Sequence, residues 1–435
     1  MARKMKDSGI EWIGEIPIDF TLYKLKYLLS SPLCYGANES GTLYSDILPR
    51  YIRITDISPN GTLKNSGMLS LDESSAQNYM LHEGDILFAR SGATVGKSFI
   101  YHNYYGRAAY AGYLIKASFN RLVLPEFVYY YTCSSAYEIW KNSIFIQSTI
   151  QNIGADRYSN LPISVPNSID KQLRIVHYLN DFCSKFDAII YNLQTSIEEY
   201  KKLKQAVITQ AVTKGVRGKR EMKDSGVEWI GEIPRDWAVQ KIKSISSRIN
   251  VGVVIRPSEY FDENGTVPFL RGINVKEYVI SSDSMVYINE SSNRLLSKSQ
   301  VHTDDILIVR DGSIGTSCVV PAEYDGANVV SMVIVTPSIS CDSRFICYSL
   351  NSDVGKTQFT LTKIGSALTH TSVSAVSDII VAVPSCAEQK EIANYLDAKC
   401  AEIDNLIAKK EQLVKELESY KKSLIYEVVT GKREV

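Results

Sequence analysis

The sequence predicts an α+β fold in which two α/β modules are joined by two long helices that pair as an antiparallel coiled coil with pseudo-two-fold symmetry. Three observations predict it: a duplication that fills the chain, short apolar runs ending in Gly-containing turns within each copy, and one long Pro- and Gly-free helical stretch closing each copy. The duplication is the most direct. MKDSGIEWIGEIPIDF from Met5 returns as MKDSGVEWIGEIPRDW from Met222, 217 positions on. Arg53 in YIRITDI matches Arg271 in FLRGINV, and HEGDILFARSG from His82 matches HTDDILIVRDG from His302. EFVYYYTCS from Glu126 matches RFICYSLNS from Arg344, and Val165-Pro166 matches Val383-Pro384. Offsets between 217 and 220 describe domain-sized copies, far above the period of a solenoid. The boundaries read as a first module at 1–166, its helix at 167–215, a second module at 216–384 and its helix at 385–435.

Within each module the reading is of short strands and turns. Asp85-Ile86-Leu87-Phe88 and Asp305-Ile306-Leu307-Ile308-Val309 are continuous apolar runs that meet tight glycine turns, the pattern of buried strands. Pro125 stands where helices accept proline and opens a short amphipathic helix through Phe127, Tyr130 and Tyr131. Strands at Leu161–Val165 and Ile379–Val383 close the modules, ended by Pro166 and Pro384.

The helices follow. Ile175, Leu179, Phe182, Phe186, Ile189, Leu193, Ile197, Tyr200, Leu203 and Val207 step by threes and fours, as do Ile392, Leu396, Cys400, Ile403, Leu406, Leu413, Leu417, Tyr420, Leu424 and Val428. Gly215 and Gly431 sit where helices stop. A helix of about 40 residues is a rod of roughly 60 Å, and alone it would leave an apolar stripe in water. Pairing the two rods buries both stripes, with Phe182, Phe186, Leu193, Ile197, Ile403, Leu406, Leu413 and Leu417 at the expected interface. Lys410 interrupts the second seam at a solvent edge.

Composition bounds the function. The chain's 435 residues are enough for two to four domains, and 45% apolar with 22% charged residues is globular. Lys+Arg and Asp+Glu both total 48, and neutrality counts mildly against a nucleic-acid partner unless cations are concentrated on one face. The eight Cys residues form no CxxC pair, and no leader or spanning segment is visible, so free thiols in a cytoplasmic protein with no membrane association are expected. Cys183 and Cys400, at matching helix positions, read as buried packing.

Catalytic motifs are missing from the sequence. GATVGKS at Gly92–Ser98 falls one residue short of a phosphate-binding loop, because Ser91 stands at the first glycine position, and the second copy (GSIGTS) has no lysine. GSIG after Asp311 lacks the first glycine of a nucleophile elbow. The five histidines are scattered, with no metal spacing. His82 and His302 read as structural hydrogen-bonding residues. Asp304-Asp305 reads as a loop and Glu198-Glu199 as a solvated helix face. No catalysis, cofactor or metal is therefore expected of this chain.

Side chains able to reach phosphates and base edges do recur at the duplicated turns: Arg90, Ser91, Thr94 and Lys97 in the first copy, Arg310, Ser313 and Thr316 in the second. Arg53 and Arg271 repeat beside stretches that have diverged almost completely, Ser30–Ser75 and Ser247–Ser292. Tyrosine is abundant at 27 residues, including Tyr101, Tyr104, Tyr105 and Tyr113 near these loops. A shared frame thus carries two different variable faces, as a protein holding two distinct half-ligands would; unconstrained surface loops are the alternative.

The opening KDSGxEWIGEIPxxW motif, the GDILF-R-x-G strand-turn, the closing Val-Pro strand and the long helix ending in AVT or VVTGK resemble the specificity subunits of Type I restriction-modification systems across essentially the whole chain. The resemblance implies two target-recognition domains, each reading one half of a split, asymmetric double-stranded DNA site, with the helices setting the gap. It implies docking of two methyltransferase subunits, which use S-adenosylmethionine, and of restriction subunits dependent on ATP and Mg. A protein-binding scaffold with two variable modules is the competing reading. A self-sufficient methyltransferase or nuclease would need motifs the sequence lacks.

Overall fold

Two helices organise the chain, Ile169–Lys214 and Cys386–Val429. Neither contains Pro or Gly, and each stops at a glycine in the left-handed region, Gly215 at φ 76° and Gly431 at φ 74°. The computed structural model describes residues 3–58, 61–92, 94–146, 152–364 and 370–435. It divides into two compact units, one of Met1–Gln194 with Gln412–Val435 and one of Thr195–Glu411, so each helix contributes one half to each unit.

The helix halves run antiparallel within each unit. In the first, the rings of Phe182 and Phe186 lie 6.3 and 5.7 Å from Tyr420, and Lys421 reaches Asp187 at 2.6 Å. In the second, Lys204 pairs with Asp404 at 2.7 Å, and Lys410 covers the Tyr200 ring at 5.5 Å. The two helices form an antiparallel coiled coil. Ile190, Ile197, Ile403 and Ile407 are buried along it, and Phe182, Phe186, Leu193, Leu406 and Leu417 are half-buried. Ile189, Leu203 and Leu413 stay exposed, Leu413 at 43%. The apolar stripe is wider than a single partner helix covers, since a two-stranded seam takes only about two positions in seven.

In the first unit Ile86–Ala89 is one of the two inner strands of an antiparallel sheet ordered Cys34–Tyr35, Leu114–Ala117, Ile86–Ala89, Ser98–Ile100. Strand alternation splits its side chains between two cores. Ile86 and Phe88 join the core that includes Ile175, Leu179 and Cys183 of the first long helix, while Leu87 and Ala89 join Phe99, Tyr110 and Leu114. Burial on both faces explains the unbroken apolar run. A second sheet holds the variable segment, with Arg50–Ile52 parallel to Ala108–Tyr110 and antiparallel to Leu69–Ser70. The Pro125–Thr132 helix packs on the Ser98–Ile100 strand, and Phe20–Lys24 pairs with Pro162–Pro166.

The second unit repeats this plan. Its sheet is ordered Ser246–Val251, Met332–Pro337, Ile306–Val309, Ser317–Val319, and Val267–Leu270 runs parallel to Asn328–Val329. Ile306 and Ile308 face Ile392, Leu396 and Cys400; Leu307 and Val309 face the other core. Ala238–Lys241 pairs with Ile380–Val383.

Each opening segment closes on the end of a long helix. Ile13, Ile16 and Phe20 share a core with Leu424, Ile425, Val428 and Val429. Ile230, Ile233 and Trp237 share one with Ile208, Ala211 and Val212. The AVTKG and VVTGK endings are the same joint with the terminal glycine displaced by one residue, because the first helix runs further.

Candidate nucleic-acid interface

The inner strands deliver the repeated turns to one end of each sheet. In the first unit the turn from Arg90 to Lys97 is closed by Ala89 N–H donating to the Lys97 carbonyl (2.8 Å) and Gly96 N–H donating to the Ala89 carbonyl (2.9 Å). In the second, Val309 N–H donates to Thr316 (2.9 Å) and Gly315 N–H to Val309 (3.0 Å). Left-handed glycines make both possible: Gly92 and Gly96 at φ 78° and 82°, Gly312 and Gly315 at φ 76° and 88°. Ala93, inside the first turn, lies outside the described residues. A strand follows each turn, Ser98–Ile100 and Ser317–Val319, so no helix N-terminus stands behind it to receive a nucleotide phosphate.

The turns present a mixed polar edge. Lys97 and Ser313 are exposed, whereas Ser91, Thr94 and Thr316 are half-buried. The Arg90 guanidinium lies 5.0 Å over the Tyr35 ring, and the Tyr35 hydroxyl accepts from Ala155 N–H at 3.0 Å. Arg310 donates through Nε to the Thr371 carbonyl at 3.0 Å. Both turns are pinned to a following segment, by Ile153 N–H to the Arg90 carbonyl (2.9 Å) and Thr371 N–H to the Arg310 carbonyl (3.1 Å).

Arg53 and Arg271 sit elsewhere and are engaged internally. Each precedes a short 3-10 turn and donates its backbone N–H to a side chain three residues on, Asp56 at 2.8 Å and Asn274 at 3.0 Å. The Arg53 guanidinium forks onto both Asp56 oxygens and reaches the Gly67 carbonyl at 2.8 Å, and the Asp56 hydrogen bond holds it more firmly protonated than usual. The Arg271 guanidinium reaches the Ser284 carbonyl. Both arginines close a loop of their own variable segment, tying positions 53, 56 and 67 together in the first unit and 271, 274 and 284 in the second.

A buried carboxylate at matching positions of the two copies escaped the sequence reading. Asp305 is 1% exposed, and Asp85 3%. Asp304-Asp305 lies in a loop as read, but its two acids differ: Asp304 is exposed at φ 70°, in the backbone place of Gly84 (φ 81°), while Asp305 points inward. Asp305 accepts from His302 N–H (2.9 Å), from Arg248 Nη2 (2.8 Å) and from the Thr336 hydroxyl. Asp85 accepts from His82 N–H (2.9 Å) and the Ser118 hydroxyl (2.6 Å). The hydrogen bond expected of the two histidines is made by their backbone, and their rings remain exposed. The available signal was an acid preceding an unbroken apolar run in both copies.

Among the tyrosines, Tyr113 and Tyr104 are exposed, and Tyr101 is buried. No cluster among the described residues could hold a metal ion, and no described helix is long and apolar enough to cross a membrane.

Comparison with known proteins gives concordant matches. The family described as Type I restriction modification DNA specificity domain matches residues 44–199 and 234–418. The MjaVIII specificity subunit of a Type I restriction enzyme from Methanocaldococcus jannaschii is 24% identical over 359 residues, covering 81% of this chain and 80% of that one. The EcoKI specificity subunit of Escherichia coli is 21% identical over 208 residues, covering 46% and 44%. A chain solved in work on complex assembly and conformational transition of the type I R-M system superposes with a TM-score of 0.71 at 14% identity, over 96% of this chain and 99% of the other.

Proposed function

Because the chain belongs to the Type I restriction modification DNA specificity family, we propose that its two units read the two halves of a bipartite, asymmetric double-stranded DNA target. As a specificity subunit the chain selects the site and leaves the chemistry to others. The observation that carries the split-site reading is the pair of turns, held by the same backbone hydrogen bonds at the ends of equivalent strands but flanked by segments that share almost no sequence. Two equal frames with unequal faces suit two unequal half-sites.

In this reading residues 1–166 and 216–384 are the target-recognition domains, and 167–215 and 385–435 the helical spacers. Lys97, Thr94, Ser91 and Arg90 contact DNA from the first, Ser313, Thr316 and Arg310 from the second. Phosphate contacts fix register, and base-edge contacts supply discrimination. Arg53 and Arg271 act by shaping the variable segments they staple, with any remaining donors turned to the backbone of the duplex. Two methyltransferase subunits carrying S-adenosylmethionine dock on the frame, where Ile189, Leu203 and Leu413 leave apolar surface along the helices, and restriction subunits using ATP and Mg join them in the cytoplasm. A separation of about one helical turn, roughly 34 Å, lets both readers approach one face of the duplex.

The test is an exchange of residues 30–160 for the module of another family member, read by methylome sequencing of the host. One half of the methylated sequence should change and the other persist. Change in both halves, or in neither, would refute independent reading, and failure of the assembled complex to shift a duplex carrying the site would favour a protein-binding scaffold.

A further inference from the structure

The variable segment of the second unit carries, near its start, a loop tip that its own core does not use. Val253 still belongs to the sheet: its N–H donates to the Val329 carbonyl at 2.8 Å and its carbonyl accepts from Ser331 N–H at 3.0 Å. Val254 and Ile255 then leave it, and Ile255 is 80% exposed. Arg256 follows at φ 44°, ψ 53°, a left-handed conformation that L side chains avoid, immediately before Pro257, whose ring further restricts the residue preceding it. Ser331, bonded to Val253, is also left-handed at φ 49°. One left-handed residue thus follows Ile255 directly and another anchors Val253 two residues before it, and between them an aliphatic side chain stands out in solvent, where it contributes nothing to folding.

The tip stands beside the proposed DNA edge. The Ser331 hydroxyl lies 3.4 Å from an Asp311 oxygen, in the turn that carries Arg310, Ser313 and Thr316. Ile255 is two residues from Val253, so its Cα is within about 7.6 Å of that anchor. Arg256, braced by Glu259 at 3.2 Å, is exposed next to it. An exposed apolar side chain flanked by an exposed arginine, at the rim of a surface that meets DNA, is the arrangement with which proteins part stacked base pairs. A protein partner would call for a broader apolar patch, whereas Val254 and Ile255 are flanked by Arg256 and the polar turn.

We propose that Ile255 is a wedge that inserts between base pairs of the half-site read by the second unit, so that selection there depends on how easily one step unstacks. The proposal rests on the DNA reading above. Its test uses the full chain assembled with its methyltransferase partners on a duplex bearing the host's methylated sequence, with 2-aminopurine placed at successive steps away from the methylated adenine. Wild type should raise fluorescence several-fold at one step. Ile255→Ser should abolish the rise and weaken binding about tenfold, and Ile255→Met should retain both. All three should share one thermal midpoint, since the side chain is exposed. Binding without any rise, or a rise unchanged in Ile255→Ser, overturns the wedge alone. Loss of partner assembly in Ile255→Ser assigns the tip to protein and overturns it too. No binding by wild type removes the DNA reading and the wedge together.

Discussion

Replacing Asp305 by Ala should unfasten the second unit at the strand that aims its turn. The carboxylate is 1% exposed and collects three donors: His302 N–H, Arg248 and the Thr336 hydroxyl. Alanine leaves all three facing a void. Breaking a buried ion pair from one side costs about 3–5 kcal/mol, and a buried unsatisfied donor about 1–3 kcal/mol. Arg248 tempers this, because its side chain is 30% exposed and also donates to the Gln300 carbonyl at 3.2 Å. The expected loss is therefore about 3 kcal/mol, which for a unit of about 200 residues lowers its thermal midpoint by about 6–12 °C.

Calorimetry of the full chain measures that midpoint, and amide exchange over Ile306–Val309 locates the loss. Adding Arg248→Met removes the stranded cation, so the double variant should recover about 1 kcal/mol over simple addition. Asp85→Ala should cost less, because the nearest cation, Lys116, stands 3.9 Å away. A midpoint within about 2 °C of wild type for Asp305→Ala, or strict additivity with Arg248→Met, would refute the assignment of Asp305 as the anchor.

Gly315→Ala should disable the second turn, since a Cβ there lies 2.4 Å from the Phe359 ring at φ 88°, while Gly312→Ala, with nothing within 4 Å, should cost only about 1 kcal/mol; half-site binding by mobility shift compares them. Lys97→Ala should weaken binding to all duplexes alike and reduce the slope of log affinity against log salt by about 1. Burial pushes the Cys183 and Cys347 thiols up to about 12, so a thiol reagent at pH 8 should modify exposed Cys34 rapidly and these two only on unfolding, as mass spectrometry will read. Burial raises the Asp19 carboxyl, but the Lys171 and Arg3 contacts outweigh it and leave it below its ordinary value. Its contribution is thus present above the ordinary carboxylate range and lost as pH falls through the depressed value, and Asp19→Asn should flatten the acid limb of the first unit's stability curve.

What the sequence made legible is what repeats. Both long helices follow from apolar period and glycine stops, and the inner strands from unbroken apolar runs at Ile86 and Ile306. The closing strands lie within a residue of expectation, at Pro162–Pro166 and Ile380–Val383. What was hidden depends on contacts distant in the chain. Asp305 is paired by Arg248 and Thr336, neither of which its own neighbourhood announces. The internal partners of Arg53 and Arg271 were hidden likewise, because an arginine reads alike whether it meets a phosphate or a carbonyl. The seam was overcounted because periodicity marks an apolar face without saying how much of it a single partner covers, hence exposed Leu413.

The two copies also show which departures the frame tolerates. Gly84 at φ 81° lies against Pro125, where an added Cβ would be 2.8 Å from the ring; the second copy has Asp304 in that conformation and Ser343 in place of the proline, so the two changes answer each other. At the opening segments, Arg3 stacks on Phe20 and pairs with Asp19, whereas Arg220 stacks on Trp237 and pairs with buried Glu388, which replaces Lys171. Asp236 keeps the place of Asp19, but the arginine's acidic partner now comes from the long helix, and the cation–aromatic lock is kept. Differences in the frame thus come as compensating pairs, because the opening segment must still close on a helix end. The Val254–Arg256 tip lies away from these joints: Ile255 is exposed, and Arg256 pairs locally with Glu259. Its sequence is free of the fold, and a residue free of the fold yet held in strain is where recognition can vary without disturbing the frame.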